Sequence, residues 1–156
     1  MVKKREDDLD FEIRFYEAIL KDKPDFIEAL IAIGDLYTHK GLVEKGLEVD
    51  IRLSRLRPDD DLILYNLACS YSLMRQIDKA FGAMKLALEC GYDDLNYLEV
   101  DDDLEHLRKD ERFQEYFDRF RKERKERRER RDKISQNDSS RRALKHLIVK
   151  RAHPSK

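Results

Sequence analysis

A repeat of 34 residues is the feature that most limits what this chain can fold into. Pro24, Pro58 and Tyr92 lie at successive intervals of 34 residues. Aligning the chain on them brings four further pairs into register: Leu30 with Leu64, Ile33 with Leu67, Gly34 with Ala68, and Tyr37 with Tyr71. This period and pattern are typical of a unit of two helices joined by a turn. Because one such unit cannot bury its apolar face alone, we expect the units to stack.

The composition favours helices throughout the chain. Charged residues make up 43% of the sequence, and only five Gly and three Pro are present. The charge is unevenly distributed. Residues 1–117 hold 17 Lys and Arg against 28 Asp and Glu, a net charge of −11, whereas residues 118–156 hold 16 against 6, a net charge of +10. We therefore predict an acidic all-α body with a basic extension.

The sequence predicts a cytoplasmic protein without a membrane segment. Its first residues have no apolar stretch of the kind found in signal peptides. No apolar run approaches the roughly 20 residues that span a bilayer. Cys69 and Cys90 are well separated in the sequence and form no Cys-x-x-Cys motif. We expect two free thiols, with no metal and no cofactor.

Apolar spacing and the positions of Gly and Pro predict the helices. The expected helices are 8–21, 25–40, 42–56, 59–74 and 77–90. Two short helical turns should follow, broken by the acidic run Asp101–Asp103. A long helix should begin near Phe113 and leave the core at Arg121, followed by a linker at 135–140 and a short amphipathic helix at 141–150.

These elements divide the chain into repeats and flanking pieces. The expected parts are a partial repeat at 8–24, repeats at 25–58 and 59–92, a cap at 93–117 and an extension at 118–156. Gly34 falls inside a predicted helix, where glycine costs about 1 kcal/mol relative to alanine. We expect this glycine to permit a close helix approach that a side chain would block.

The region of roughly 8–92 resembles the tetratricopeptide repeat family. The second full repeat carries the pattern best, in Leu64, Leu67, Ala68, Tyr71, Ala80 and Ala87. The first has Gly46 where the family prefers alanine and Asp50 where it prefers an aromatic residue. Residues 103–113 are similar to the segment that closes many prokaryotic members, with Glu111 in place of a proline. The resemblance implies a capped, right-handed helical solenoid that binds proteins or peptides and has no catalytic activity.

The resemblance also implies a concave groove lined by the first helix of each pair. The matching positions are Glu28, Ile31, Asp35, Thr38 and His39, then Leu62, Tyr65, Cys69, Ser72 and Leu73. We expect Ile31, Leu62, Tyr65 and Leu73 to form an exposed apolar patch, as interaction sites do. Three occupants remain open for this patch: an external partner, a second copy of the chain, or the chain's own helices.

The groove is not expected to hold a C-terminal carboxylate, as some family members do. Asn66 alone falls at a matching clamp position, and Ile31 and Asp35 stand where Lys and Asn are needed. Because Asp35 would repel a carboxylate, a basic or apolar partner fits better. His39 follows Asp35 by one helical turn and should share its face, as a surface pair rather than a catalytic dyad.

A basic run follows the predicted repeats. Its nine Lys and Arg residues are Arg119, Arg121, Lys122, Arg124, Lys125, Arg127, Arg128, Arg130 and Arg131. It reads as a solvated helix with ion pairs to three interspersed glutamates, as a phosphate-binding surface whose affinity falls with salt, or as a segment that contacts the acidic body. It lacks interleaved aromatic residues, which disfavours base stacking.

The last predicted helix offers a candidate ligand for the groove. Leu144, Leu147, Ile148 and Val149 lie within a basic amphipathic stretch that could fill a groove of its own or a neighbouring chain. The sequence as a whole predicts a non-enzymatic adaptor that binds a protein or peptide and that could form a homo-oligomer. The alternative is a nucleic-acid or ribonucleoprotein factor that acts through the basic extension.

Overall fold

A computed structural model describes the backbone of residues 2–152 and the side chains of residues 8–136 and 138. Within that part the chain is helical and has no strand. The elements are α1 (Val2–Asp22), α2 (Ile27–His39), α3 (Val43–Leu56), α4 (Asp61–Leu73), α5 (Ile77–Cys90), α6 (Leu95–Val100), a 3-10 turn (Asp102–Leu104), α7 (Glu105–Arg108) and α8 (Glu111–Ala152). The predicted all-α class is confirmed. None of these helices is both long and apolar enough to cross a membrane.

Helices α2 and α3, and then α4 and α5, form two antiparallel pairs joined by tight turns. The two turns are closed by equivalent hydrogen bonds. Leu42 N donates to Tyr37 O at 2.8 Å, and Gln76 N donates to Tyr71 O at 2.9 Å. Because these donors and acceptors occupy equivalent positions of the sequence repeat, the repeat in the sequence is also a repeat in the backbone.

The positions that recur in the sequence form the packed core. Leu30, Ile33 and Tyr37 of α2 are buried, as are Leu64 and Leu67 of α4. Two clusters of buried residues join neighbouring helices: Ile13 with Ile33 and Tyr37, and Leu30 with Leu53 and Ile63. The helical spacing of apolar residues therefore predicted the packing face of α2 and α4 correctly.

Gly34 and Gly46, two of the three helix-interior glycines of the described chain, lie between α2 and α3. A Cβ built on Gly34 would meet Val49 Cγ1 at 3.4 Å, which is ordinary van der Waals contact. A Cβ on Gly46 would lie 3.0 Å from Thr38 Oγ1. The two glycines lie at one contact between α2 and α3, because a Cβ on Gly46 would also be 3.7 Å from the Gly34 carbonyl oxygen. The space for a side chain is limited at Gly46 rather than at Gly34, so the expectation that a side chain at Gly34 would be blocked was wrong.

The segment after α5 covers the second helical pair. The 3-10 turn and α7 pack against α4, and α7 also contacts α5. Leu98, Leu104 and Leu107 of this segment are completely buried. Asp110 caps the start of α8 by accepting a hydrogen bond from Phe113 N at 3.3 Å. The predicted short turns around the acidic run are present, and their leucines close the apolar end of the core.

The chain divides into two compact units between Phe113 and Gln114. In the second unit α8 is continuous, so the prediction of a linker at 135–140 was wrong. That segment contains no Gly or Pro, and its Ser, Asn and Asp residues lower helix propensity without breaking a helix. The predicted helix at 141–150 is the last part of α8. The structure does not describe the apolar side chains of this part, Leu144, Leu147, Ile148 and Val149. The hypothesis that they fill the groove therefore concerns residues outside the described side chains.

Candidate functional site

A pocket of about 460 Å³ lies in the first unit, where α2 and α4 meet the segment that follows α5. The pocket-lining residues of α2 and α4 recur at intervals of three and four, which places them on one face of each helix. The lining residues are Gly34, Asp35, Thr38 and His39 of α2, Asp50 of α3, Tyr65, Asn66 and Cys69 of α4, Tyr97 of α6, and Asp101 and Asp103. The site is therefore built by both helical pairs and by the covering segment.

Six of the predicted groove residues line this pocket and five do not. Those that meet there are Asp35, Thr38, His39, Tyr65, Asn66 and Cys69. The residues outside it are Glu28, Ile31, Leu62, Ser72 and Leu73. Among the latter, Glu28 is exposed, Ile31 is 40% exposed, Leu62 is 61% exposed, and Leu73 is half-buried. Ile31 and Leu62 are thus the two predicted apolar residues that face solvent.

The expected exposure of Tyr65 was wrong. Its side chain is 4% exposed, and its hydroxyl donates to Asp101 Oδ2 at 2.6 Å. Cys69 Sγ lies 3.7 Å from the same oxygen. Ser72 is also buried, and its Oγ accepts a hydrogen bond from Leu107 N at 3.3 Å. The sequence left open whether an external partner, a second copy or the chain's own helices cover the predicted patch. At Tyr65 and Ser72 of α4, the cover is the chain's own segment that follows α5.

Asp101 organises the side of the pocket that the covering segment forms. Besides Tyr65 and Cys69, it contacts its own turn, because Oδ1 accepts a hydrogen bond from Asp103 N at 3.0 Å. The guanidinium of Arg108 donates to the Asp101 carbonyl oxygen. Tyr97 is positioned by a separate cap, in which Asp94 Oδ1 accepts from Tyr97 N at 3.0 Å. The carboxylate of Asp101 is therefore largely occupied by structural contacts.

Burial raises the pKa of three groups in the pocket wall. Burial, reinforced by the hydrogen bond to Asp101, raises the pKa of Tyr65. Burial and the charge of Asp101 raise the pKa of the Cys69 thiol, which keeps it protonated and a weak nucleophile. Burial and the neighbouring Asp101 and Asp102 also raise the pKa of Asp103. These shifts favour the protonated form of all three groups.

Asp50 forms the floor of the pocket on the α3 side. It is 8% exposed, and its Oδ2 accepts a hydrogen bond from Ser70 Oγ at 2.5 Å. Burial raises the pKa of Asp50 to about 6, the Ser70 hydrogen bond opposes the shift, and the charge of Asp35 adds to it. The residue at which the sequence departs from the aromatic preference of the resembled family is thus a buried carboxyl that links α3 to α4.

The pocket is acidic. Asp35, Asp50, Asp101 and Asp103 line it, and none of the described lining residues is a Lys or Arg. His39 is held by its neighbour, with Nδ1 2.8 Å from the Asp35 carbonyl oxygen. In the described part of the chain, no group of three or more His, Cys, Asp and Glu side chains is arranged to hold a metal ion. The chemistry that this arrangement offers is the binding of a cationic group.

Part of this site was not predicted from the sequence. Asp50, Tyr97, Asp101 and Asp103 belong to the pocket although they lie outside the first helices of the pairs. The sequence predicts that the acidic run at 101–103 breaks two helical turns, but the position of this run over α4 depends on tertiary packing. The signal that could have identified Asp50 was its replacement of an aromatic residue inside an otherwise apolar pattern.

The basic residues predicted as a second site lie on α8 in the other unit. Eight of the nine are exposed and Arg124 is half-buried. Arg130 Nη2 lies 3.6 Å from Glu126 Oε2, one helical turn away. The guanidinium of Arg121 lies 5.7 Å from the centre of the Phe117 ring. The basic side chains therefore present a solvated helical surface within this unit.

No protein-family model matches the sequence. Among curated proteins, the chain is similar to a chloroplastic protein of Arabidopsis thaliana. The two are 32% identical over 87 residues, which covers 54% of this chain and 26% of the relative. The matched region thus spans about a quarter of the relative's length.

Proposed function

We propose that the first unit is a tetratricopeptide-type, right-handed helical solenoid that binds a protein or peptide without catalysing a reaction. One observation carries the proposal. The first helices of two pairs, whose turns recur with the period of the sequence repeat, place six of the expected groove residues around one pocket. A surface formed by successive repeats is how proteins of this architecture bind partners. The closing segment over α4 leaves the pocket as the part of the groove that is still open.

Exposed apolar residues on the same two helices support this proposal. Ile31 precedes the pocket residue Asp35 by one helical turn, and Leu62 precedes Asn66 by one turn. Both side chains are exposed, so each helix carries one exposed apolar residue a turn before a pocket residue. We expect a partner that occupies the pocket to contact these two side chains as well.

The proposal is tested by capture of partners on the intact chain. We expect the double variant Ile31→Asp with Leu62→Asp to lose the proteins that the parent retains. The control is Leu86→Asp, which makes one substitution of the same kind at a residue of α5 that is 50% exposed. Equal capture by all three chains would refute groove binding. Sedimentation of the same samples separates self-association from binding of an external partner.

The proposed setting is an adaptor role in a cytoplasmic complex. The name of the Arabidopsis relative places that protein in the chloroplast. Imaging of this chain fused to a fluorescent protein in its native cell distinguishes the two compartments. A plastid signal would overturn the cytoplasmic setting and leave the groove proposal intact.

The basic surface of α8 favours a second candidate, nucleic-acid or ribonucleoprotein binding. The observation that supports this candidate is that eight Lys and Arg side chains between Arg119 and Arg131 are exposed. Phosphate contacts made by such residues release counterions, so affinity should fall steeply as salt rises. Titration of a single-stranded RNA against the intact chain at about 50 and about 200 mM salt tests this. The variant with Arg127, Arg128, Arg130 and Arg131 changed to Gln should lose the salt-sensitive binding, and unchanged binding would exclude this candidate.

A further inference from the structure

We propose that the acidic pocket accepts one arginine or lysine side chain of the bound partner. The inference rests on the proposed peptide-binding function and names the chemistry of one contact within it. The pocket volume of about 460 Å³ is within the range of roughly 300–1,000 Å³ found for ligand sites. It is large enough for one long side chain with accompanying water, and too small for a folded domain.

The charge of the pocket selects a cation. Four carboxyl groups line it, and they come from three separate parts of the fold: Asp35 from α2, Asp50 from α3, and Asp101 and Asp103 from the covering segment. Among the described lining groups, the imidazole of His39 is the one that can carry a positive charge, and it contacts the Asp35 carbonyl oxygen. A guanidinium or ammonium group would meet acceptors on several sides.

Asp50 supplies a second observation that points to a ligand. Its side chain is more than nine-tenths buried and lines the pocket. Oδ2 accepts the hydrogen bond from Ser70, while Oδ1 accepts none within the described part of the chain. Among the described residues, the buried side-chain nitrogen or oxygen that lacks a partner is His106 Nδ1, so Asp50 Oδ1 remains accessible from the pocket. A cationic donor entering the pocket would reach that oxygen.

Tyr97 provides a surface for the stem of the incoming side chain. It lines the pocket and remains 51% exposed. Its ring centre lies 6.2 Å from that of Tyr65, so two aromatic rings face this region. The aliphatic stem of Arg or Lys packs well on such rings while its charged end reaches polar groups. Ile31 and Leu62 would then contact the flanking residues of the same peptide.

The probe is Nα-acetyl-arginine methylamide, titrated into the intact 15N-labelled chain. Its uncharged isostere, Nα-acetyl-citrulline methylamide, is the control ligand. We expect the amide signals of residues 35–39 and 101–103 to shift with the arginine compound. The citrulline compound should bind roughly tenfold more weakly, because it lacks the charge. Equal affinity of the two compounds would overturn the inference.

Charge-removing variants locate the contact. Asp35→Asn and Asp103→Asn should each weaken binding of the arginine probe several-fold, since neither carboxylate accepts a structural hydrogen bond from the described residues. Asp59→Asn, an exposed position in the turn before α4, removes the same charge outside the pocket and should leave binding unchanged. If all three variants behave alike, the pocket is not the binding site.

Two further outcomes separate this inference from the proposed function. If CaCl₂ or MgCl₂ shifts the same signals at micromolar concentration and displaces the probe, the pocket is a metal site and the side-chain assignment is wrong. If partner capture depends on Ile31 and Leu62 while the arginine and citrulline probes bind equally, the inference fails and groove binding stands. If the arginine probe binds as expected but capture is unaffected by those two residues, groove binding fails and the pocket assignment stands.

Discussion

Gly41 and Arg75 occupy equivalent positions of the two helical pairs and adopt the same left-handed backbone conformation, with φ of 75° and 56°. Each ends the turn between the two helices of a pair, immediately before the residue whose amide closes that turn. Glycine reaches this conformation without steric cost, whereas a residue with a Cβ pays about 1–2 kcal/mol. The two turns therefore share one backbone geometry, but the turn at Arg75 carries a steric cost that the turn at Gly41 does not.

We predict that Arg75→Gly stabilises the chain by about 0.5–1 kcal/mol, since relief of strain exceeds the added freedom of the unfolded chain. Arg75 is exposed, so removal of its side chain should cost little packing. Urea denaturation measures the change. Arg75→Lys is the control, because it keeps both the charge and the strained backbone and should leave stability unchanged. A less stable glycine variant would show that the arginine side chain contributes more than its backbone costs.

The sequence predicted the helical pairs well because their signals are local. Helix α5 spans Ile77–Cys90, as expected, since it ends where Gly91 adopts a left-handed C-cap. The apolar faces of α2 and α4 followed from residues that recur every three or four positions. Such signals depend on neighbours within one or two turns of the chain.

The candidate site was less predictable because it depends on distant contacts. Tyr65 and Asp101 are 36 residues apart, and no periodicity in the sequence pairs them. The covering segment therefore buried a residue that the repeat pattern placed on an open face.

The prediction of a linker at 135–140 was wrong for a different reason. The polar composition of this segment suggested a loop. Because the segment contains no Gly or Pro, the helix that precedes it continues through it.

The hydrogen bond from Tyr65 to Asp101 should contribute measurably to stability. Tyr65→Phe removes the hydroxyl and keeps the ring stacked on Tyr92, whose centre is 4.3 Å away. We expect a loss of about 1–3 kcal/mol, because the Asp101 carboxylate loses a buried donor. Tyr65→Ala should cost more, about 3–5 kcal/mol, since it also leaves a cavity. Chemical denaturation of both variants measures the two losses, and equal losses would place the whole contribution in the hydroxyl.

Alanine substitutions should distinguish Gly34 from Gly46. Gly34→Ala gains helix propensity and places its methyl in ordinary contact with Val49, so we expect stabilisation of about 0.5–1 kcal/mol. Gly46→Ala gains the same propensity but must displace Thr38 Oγ1, which donates to the Gly34 carbonyl at 3.2 Å. We expect no gain, or a loss of up to about 1 kcal/mol. Thermal unfolding of the two variants compares them, and equal stabilisation would mean that Thr38 moves aside freely.

Asp50 should make stability depend on pH. Burial raises the pKa of this carboxyl from 3.8 to about 6, so the folded chain binds the proton more tightly than the unfolded chain does. Its contribution to stability is therefore fully present below about pH 4 and is lost as the pH rises through about 6. The neighbouring Asp35, His39, Asp101 and Asp103 also face the pocket, and they are common to the parent and an Asp50 variant.

Asp50→Asn keeps an acceptor for Ser70 and removes the proton equilibrium. We expect the variant to gain on the parent between pH 4 and pH 7, by up to about 3 kcal/mol at pH 7, because a pKa difference of one unit corresponds to about 1.4 kcal/mol. Urea denaturation at pH 4, 5, 6 and 7 measures this difference. Asp59→Asn removes an exposed carboxyl and should show no such trend. A constant offset between Asp50→Asn and the parent at all four pH values would mean that the buried carboxyl titrates as it does in the unfolded chain, and that its burial does not set its charge.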